Sequence, residues 1–129
     1  MTFTASELAY LRSQRLGRMA TVQPSGTLQV SPVGFRVEDD DTIVIVGYDL
    51  ETSQKFRNIR DNGRVAFVVD DIASVTPWRV RCVEIRGTAD AIDGTPPVIR
   101  IHPRRVISFG IDEPDTEAHD LTVSSRTVG

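Results

Sequence analysis

A small β-barrel or β-sandwich carrying two short helices is the fold class that this sequence predicts, and three observations predict it. The chain of 129 residues is long enough for one domain with a real core and too short for two. About six short segments rich in β-branched residues follow one another in meander order, separated by turn-forming residues. Only two segments have helical periodicity, and closure into a barrel is the usual way to remove the exposed edges of so many short strands.

The elements follow in order. In "TASELAYLRSQRLG", Thr4 and Glu7 have the spacing of a capping box, Leu8 and Leu11 share a face, and Gly17 supplies a stop. The helix is therefore placed over 5–16. "RMATVQ" (18–23) and "TLQVSPVGFRVE" (27–38) flank the turn Pro24-Ser25-Gly26 and form a hairpin. "TIVIVGY" (42–48) follows the acidic turn Asp39-Asp40-Asp41. A second helix, over about 53–62, has Phe56 and Ile59 on one face and Asn62-Gly63 as its exit. Strands follow at 64–70, 79–92 and 99–111, and Pro103 in the last demands an edge, a bulge or a break. The single domain thus has its barrel over 18–111. Residues 112–129 form an acidic tail, poor in large apolar side chains, that is expected to stay irregular or mobile until it docks.

Composition narrows the function classes. No apolar run reaches the length of a membrane span and no secretory segment is visible, so no membrane association is expected. Cys82 is alone, which rules out an internal disulfide and fits a cytoplasmic location. Cys82 with His102 and His119, widely spaced, is too poor a donor set for a metal site. The net charge of −3 conceals an asymmetry, because the tail holds five acids against Arg126. The remaining bases are bunched at 55–64, 79–86 and 100–105, which suits an anionic small molecule as well as it suits solvated faces. No nucleic-acid motif accompanies them.

"DLETSQKFRNIRDNG" (49–63) contains the only lysine of the chain. With Thr52 or Ser53 as N-cap, Lys55 lies in the first helical turn, at the wrong end of the helix dipole. Free backbone N–H groups, a hydroxyl and a lysine at a helix start make an anion site suited to phosphate. The competing reading leaves Lys55 in solvent, paired with Glu51.

The order of motifs decides between these readings. "SQKFRNIRDNGRVAFVV" behind a meander containing "GTLQVSPVGF" resembles the pyridoxamine 5′-phosphate oxidase-like split-barrel family, most closely its actinobacterial branch dependent on the deazaflavin coenzyme F420. The pattern Ser-x-Lys-x-x-Asn-Ile/Leu-x-x-Asn-x-Arg-Val is met by Ser53, Lys55, Asn58, Ile59, Asn62, Arg64 and Val65. Gly87 occupies a position where the family keeps a small residue, and the similarity spans residues 5–111. The resemblance implies a homodimer of split β-barrels with cofactor sites at the subunit interface. It places Ser53, Lys55 and Asn58 at the cofactor phosphate and Ser31, Pro32 and Val33 beside the tricyclic ring. Gln54 falls where the flavin mononucleotide (FMN) oxidases carry arginine, and Arg57 is a nearby cation. Those oxidases also have arginine at the position of Ser31, a lysine near Arg36 and a glutamine near Cys82. Their absence here argues against pyridoxamine phosphate oxidation and shifts the expected cofactor from FMN to F420. The implied activity is hydride transfer between F420 C5 and an unsaturated or electron-poor small organic substrate. An FMN-binding oxidoreductase and a non-catalytic flavin or F420 carrier or sensor are the alternatives, with a haem-binding split barrel a more distant one.

Four further residues are candidates. Trp78 and Arg79 suit a ring or an anionic cofactor tail, although a lone tryptophan also suits a barrel rim or dimer interface. His102 and Tyr48 are candidate proton donors, and each has an ordinary structural reading as well.

Overall fold

The computed structural model describes residues 2–129. Helix α1 (Ala5–Ser13) starts at the anticipated capping box: Thr4 N–H donates to Glu7 Oε1 at 2.9 Å and Glu7 N–H to Thr4 Oγ1 at 3.1 Å. It ends before Gly17, which has a different task. Gly17 lies in strand β1 (Leu16–Val22), where an added Cβ would come within 2.3 Å of the Phe67 ring. The glycine makes room for an aromatic ring of a residue that pairs with β1 from the neighbouring strand, and it does not stop the helix.

Strands β2 (Leu28–Gly34), β3 (Arg36–Val37) and β4 (Ile43–Ile45) follow, then a 3-10 turn over Leu50–Thr52 and helix α2 (Gln54–Asn62). Gly63 closes α2 in the left-handed conformation, with φ of 69°, as Asn62-Gly63 suggests. Strands β5 (Arg64–Ser74), β6 (Arg79–Ile92), β7 (Val98–Phe109) and β8 (Ser124–Thr127) complete the chain. All ladders are antiparallel in the order β2-β1-β5-β6-β7-β4-β3, with β8 also pairing β7. Strands β2 and β3 sit at opposite ends of that order, yet Phe35 alone joins them. The sheet must therefore curl until its ends meet, and because β2 and β3 are not hydrogen-bonded to each other the barrel stays split. The fold is a split β-barrel.

Its inner face is packed by Met19, Phe67, Val83, Ile85, Ile99 and Ile101, each at most 1% exposed, with Leu11 of α1 and Phe56 of α2 closing over them. Pro103 lies opposite Gly87 at a register shift in the β6–β7 ladder, so the bulge required by a proline is present. The approach is close: a Cβ on Gly87 would lie 2.1 Å from the His102 carbonyl oxygen.

The tail, expected to stay irregular or mobile until it docks, is docked at its end. Residues 124–127 pair with β7, and Arg126 reaches the carboxylate of Glu7, which is only 1% exposed. A buried acid on α1 supplies the anchor that the tail's own composition lacks. Among the described residues, no helix is long and apolar enough to cross a membrane.

Candidate cofactor site

Strand β2 alternates cleanly. Gln29, Ser31, Val33 and Phe35 face the barrel interior, while Leu28, Val30 and Pro32 face outward. Of the three residues expected beside a ring, Ser31 and Val33 thus present side chains to the interior, and Pro32 offers only backbone there. Ser31 pairs with buried Met19 on β1, and its Oγ is buried without a hydrogen-bond partner. An orphaned buried hydroxyl is costly unless something else satisfies it.

Helix α2 is pinned across the same end of the barrel. Asn58, fully buried, donates from Nδ2 to Thr21 Oγ1 at 3.0 Å and to Gln29 Oε1 at 3.1 Å. Its Oδ1 accepts from Gln54 Nε2 at 2.7 Å, one turn earlier. Asn62 Nδ2 donates to the Val22 carbonyl at 2.7 Å. The middle and the end of α2 are thereby tied to Gln29, Thr21 and Val22, and Ser31 lies two residues beyond Gln29 on the same face of β2. Asn58 is a positioning residue, since both bonds it donates tie α2 to β1 and β2 and the one it accepts comes from within α2.

The first turn of α2 remains open. Ser53 caps it, accepting from Phe56 N–H at 3.3 Å while its own hydroxyl donates to the Leu50 carbonyl at 2.6 Å. The amides of Gln54 and Lys55 have no backbone or side-chain acceptor among the described residues. Lys55 is half-buried and makes no ion pair or side-chain hydrogen bond among those residues, so the pairing with Glu51 does not form. Arg57 folds back, donating to the Thr52 carbonyl at 2.9 Å and to Gln54 Oε1 at 3.0 Å. It stiffens the helix start and lies beside the open amides. Two free amides and a free ammonium at one helix start make a set that fits a phosphate.

The remaining candidates lie elsewhere in the protomer. Trp78 and Arg79 stand at the far end of the β5–β6 hairpin from α2. Trp78 is 48% exposed, and Arg79 has a buried Nε without a partner. Tyr48 is 97% exposed in the turn after β4. His102 is on the outer face of β7, its Nε2 2.8 Å from Asp90 Oδ2. None of these four meets Ser31 or Lys55 within one chain. Cys82 is buried, and burial, reinforced by Asp70 and Glu84, pushes its thiol up to about 11, which fits a core residue. Sequence reasoning missed Gln29 and Thr21, the partners of Asn58. The alternation that puts Gln29 on the face of Ser31 was the available signal.

The family model of pyridoxamine 5′-phosphate oxidase matches residues 3–113. The chain belongs to the pyridoxamine 5′-phosphate oxidase family. One family relative, the 5a,11a-dehydrotetracycline/5a,11a-dehydrooxytetracycline reductase of Streptomyces rimosus subsp. rimosus, is 42% identical over 135 residues, covering 95% of each chain. A solved structure described as an F420 reductase shares 26% identity and a TM-score of 0.58, covering 74% of this chain and 90% of its own. The FAD binding protein of Mycobacterium smegmatis, 24% identical with a TM-score of 0.64, covers 82% of this chain and 93% of its own, and has the same fold.

Proposed function

We propose that this protein is an F420-dependent reductase acting on an electron-poor carbon–carbon double bond in an organic substrate. The observation that carries the proposal is the open α2 start, where Lys55 and the Gln54 and Lys55 amides have no partner among the described residues; the orphan hydroxyl of Ser31 on β2 supports it. Serine at position 31, where the FMN oxidases of the family carry an arginine, favours the deazaflavin over FMN. The Streptomyces relative and the F420 reductase likeness support the same reading. Bound F420 supplies the hydride at C5, and the chain supplies orientation and charge. Lys55 and the two amides hold the phosphate, Ser31 and Val33 flank the ring, and Asn58 fixes the helix against the strand. The substrate class is the unsaturated polycyclic type named for the Streptomyces relative.

A second copy of the chain completes this reading. On the outer face of β1 and β2, Leu28 and Val30 are 75% and 67% exposed and stand opposite Val22 and Ala20, with Leu16 at the other end 58% exposed. Ile72, Val75 and Trp78 are exposed at the β5–β6 hairpin. A homodimer covers such apolar surface, and it would carry Trp78 and Arg79 of one protomer towards the cofactor of its partner. The test is to mix the protein with reduced F420 and 5a,11a-dehydrotetracycline, and separately with reduced FMN. Cofactor oxidation matched by loss of substrate with F420 is the expected result. Turnover with FMN and none with F420 overturns the proposal.

A further inference from the structure

At the opposite end of β2 from α2 lies a cavity of about 530 Å³, lined by the end of α1, the β2–β3 junction and β4. Three arginines line it, Arg12, Arg15 and Arg36, and no carboxylate does. Its walls are Leu11, Phe35 and Val44. In a chain with net charge −3, this puts three positive charges around one apolar-walled notch.

The arginines are only partly committed, each keeping its terminal guanidinium nitrogens free of hydrogen bonds among the described residues. Arg36 pairs with Glu38 only through Nε, at 3.0 Å. Arg12 stands 4.0 Å from Asp39, beyond hydrogen-bond reach, and Arg15 has no partner among the described residues. None of their terminal guanidinium nitrogens donates a hydrogen bond within the described residues, whereas Arg18, Arg57, Arg60, Arg81, Arg100, Arg105 and Arg126 all use theirs. Guanidinium forks beside an apolar wall suit a delocalised oxyanion on a flat ring system. Phe35 follows Ser31 and Val33 on the interior face of β2, about 13 Å beyond Ser31 at ~3.3 Å per residue. The notch therefore lies at the end of β2 remote from Gln29 and α2.

We propose that the Arg12–Arg15–Arg36 notch is the substrate subsite and binds the anionic part, a carboxylate or enolate, of a flat polycyclic substrate. Its assignment to the substrate rests on the reading of α2 as the cofactor-phosphate site. The charge of the notch does not depend on that reading.

Calorimetric titration with anthraquinone-2-carboxylate and its neutral counterpart anthraquinone-2-carboxamide tests this. The carboxylate should bind the wild-type protein about tenfold more tightly or better, the gain expected of charge-assisted hydrogen bonds. Arg15→Ala with Arg36→Ala should abolish that preference, and Arg15→Lys with Arg36→Lys should keep part of it. Arg60→Ala, which removes an ion pair with Asp93 elsewhere, should leave it intact. F420 titrations of the same variants separate the two claims. Unchanged F420 affinity with a lost carboxylate preference supports the notch. A carboxylate preference that survives Arg15→Ala with Arg36→Ala in a folded protein overturns it, as does equal or absent binding of the two probes by wild type. Failure of F420 binding in wild type overturns the cofactor reading and with it the assignment to substrate, even if the preference for the anion persists.

Discussion

Replacing Arg126 by alanine should destabilise the protein far more than a substitution three residues before the last one ordinarily does. Glu7 is 1% exposed and accepts from Arg126, from Ser108 Oγ at 2.6 Å and from the Thr4 amide. Burial by itself would raise the Glu7 pKa, but the bonds from Arg126, Ser108 and Thr4 outweigh it and hold the carboxyl below its ordinary value. Removing the guanidinium leaves a buried carboxylate with only neutral donors. Breaking a buried pair in this way costs about 3–5 kcal/mol, and the two remaining donors set the lower end, about 3 kcal/mol. At roughly 3–5 °C per kcal/mol for a chain of this size, Tm should fall by about 10–15 °C. The sign with pH follows from the same residues. In the wild type the depressed pKa contributes stability that is present above the unfolded value and is lost as pH falls through the folded one. In Arg126→Ala burial dominates, the folded pKa rises above the unfolded value, and protonation at low pH relieves the cost. Urea unfolding at pH 7.5 and at pH 4.5 should therefore show a gap between the two proteins that narrows on acidification. A loss below 1 kcal/mol at pH 7.5, or a gap that does not depend on pH, would refute this account of the tail.

Lys55→Ala should weaken F420 binding about tenfold or more, the loss of one charge-assisted hydrogen bond at ~1.5–3 kcal/mol. Its melting curve should be unchanged, because Lys55 has no hydrogen-bond or ion-pair partner among the described residues. Normal F420 affinity in fluorescence quenching would return Lys55 to solvent. Gly87→Ala should cost about 1–3 kcal/mol by chemical denaturation, towards the upper end, since the added Cβ meets a backbone carbonyl that cannot swing aside. Gly47→Ala is the matched control, its nearest neighbour being a leucine methyl at 3.9 Å. Equal effects at the two glycines would contradict the bulge geometry.

The fold was largely legible in the sequence because its signals are local. The capping box at Thr4 and Glu7, the Asn62-Gly63 exit and strand β6 over 79–92 appear where residue chemistry puts them. Pro103 announced a bulge, and the β6–β7 ladder contains one. Misread positions depended on distant partners. Gly17 looked like a helix stop, but the ring it accommodates is fifty residues away on β5. The tail looked unstructured because its anchor is Glu7, at the other end of the chain. At the candidate site, helix capping put Ser53 and Lys55 at the start of α2 by a local rule, whereas Ser31 and Asn58 came only from the resemblance to the family. The sequence supplied neither Gln29 nor Thr21 as partners of Asn58, nor the meeting of Arg12, Arg15 and Arg36. Those arginines come from two separate segments that only the curl of the sheet brings together.

The central claim is that the α2 start and β2 are shaped for a deazaflavin phosphate and ring with serine, not arginine, at position 31. Parallel equilibrium titrations of the wild-type protein with F420 and with FMN, followed by fluorescence quenching, test it most directly. The account predicts saturable F420 binding at least tenfold tighter than FMN, a difference of about 1.4 kcal/mol. Micromolar FMN binding with no F420 binding would contradict it.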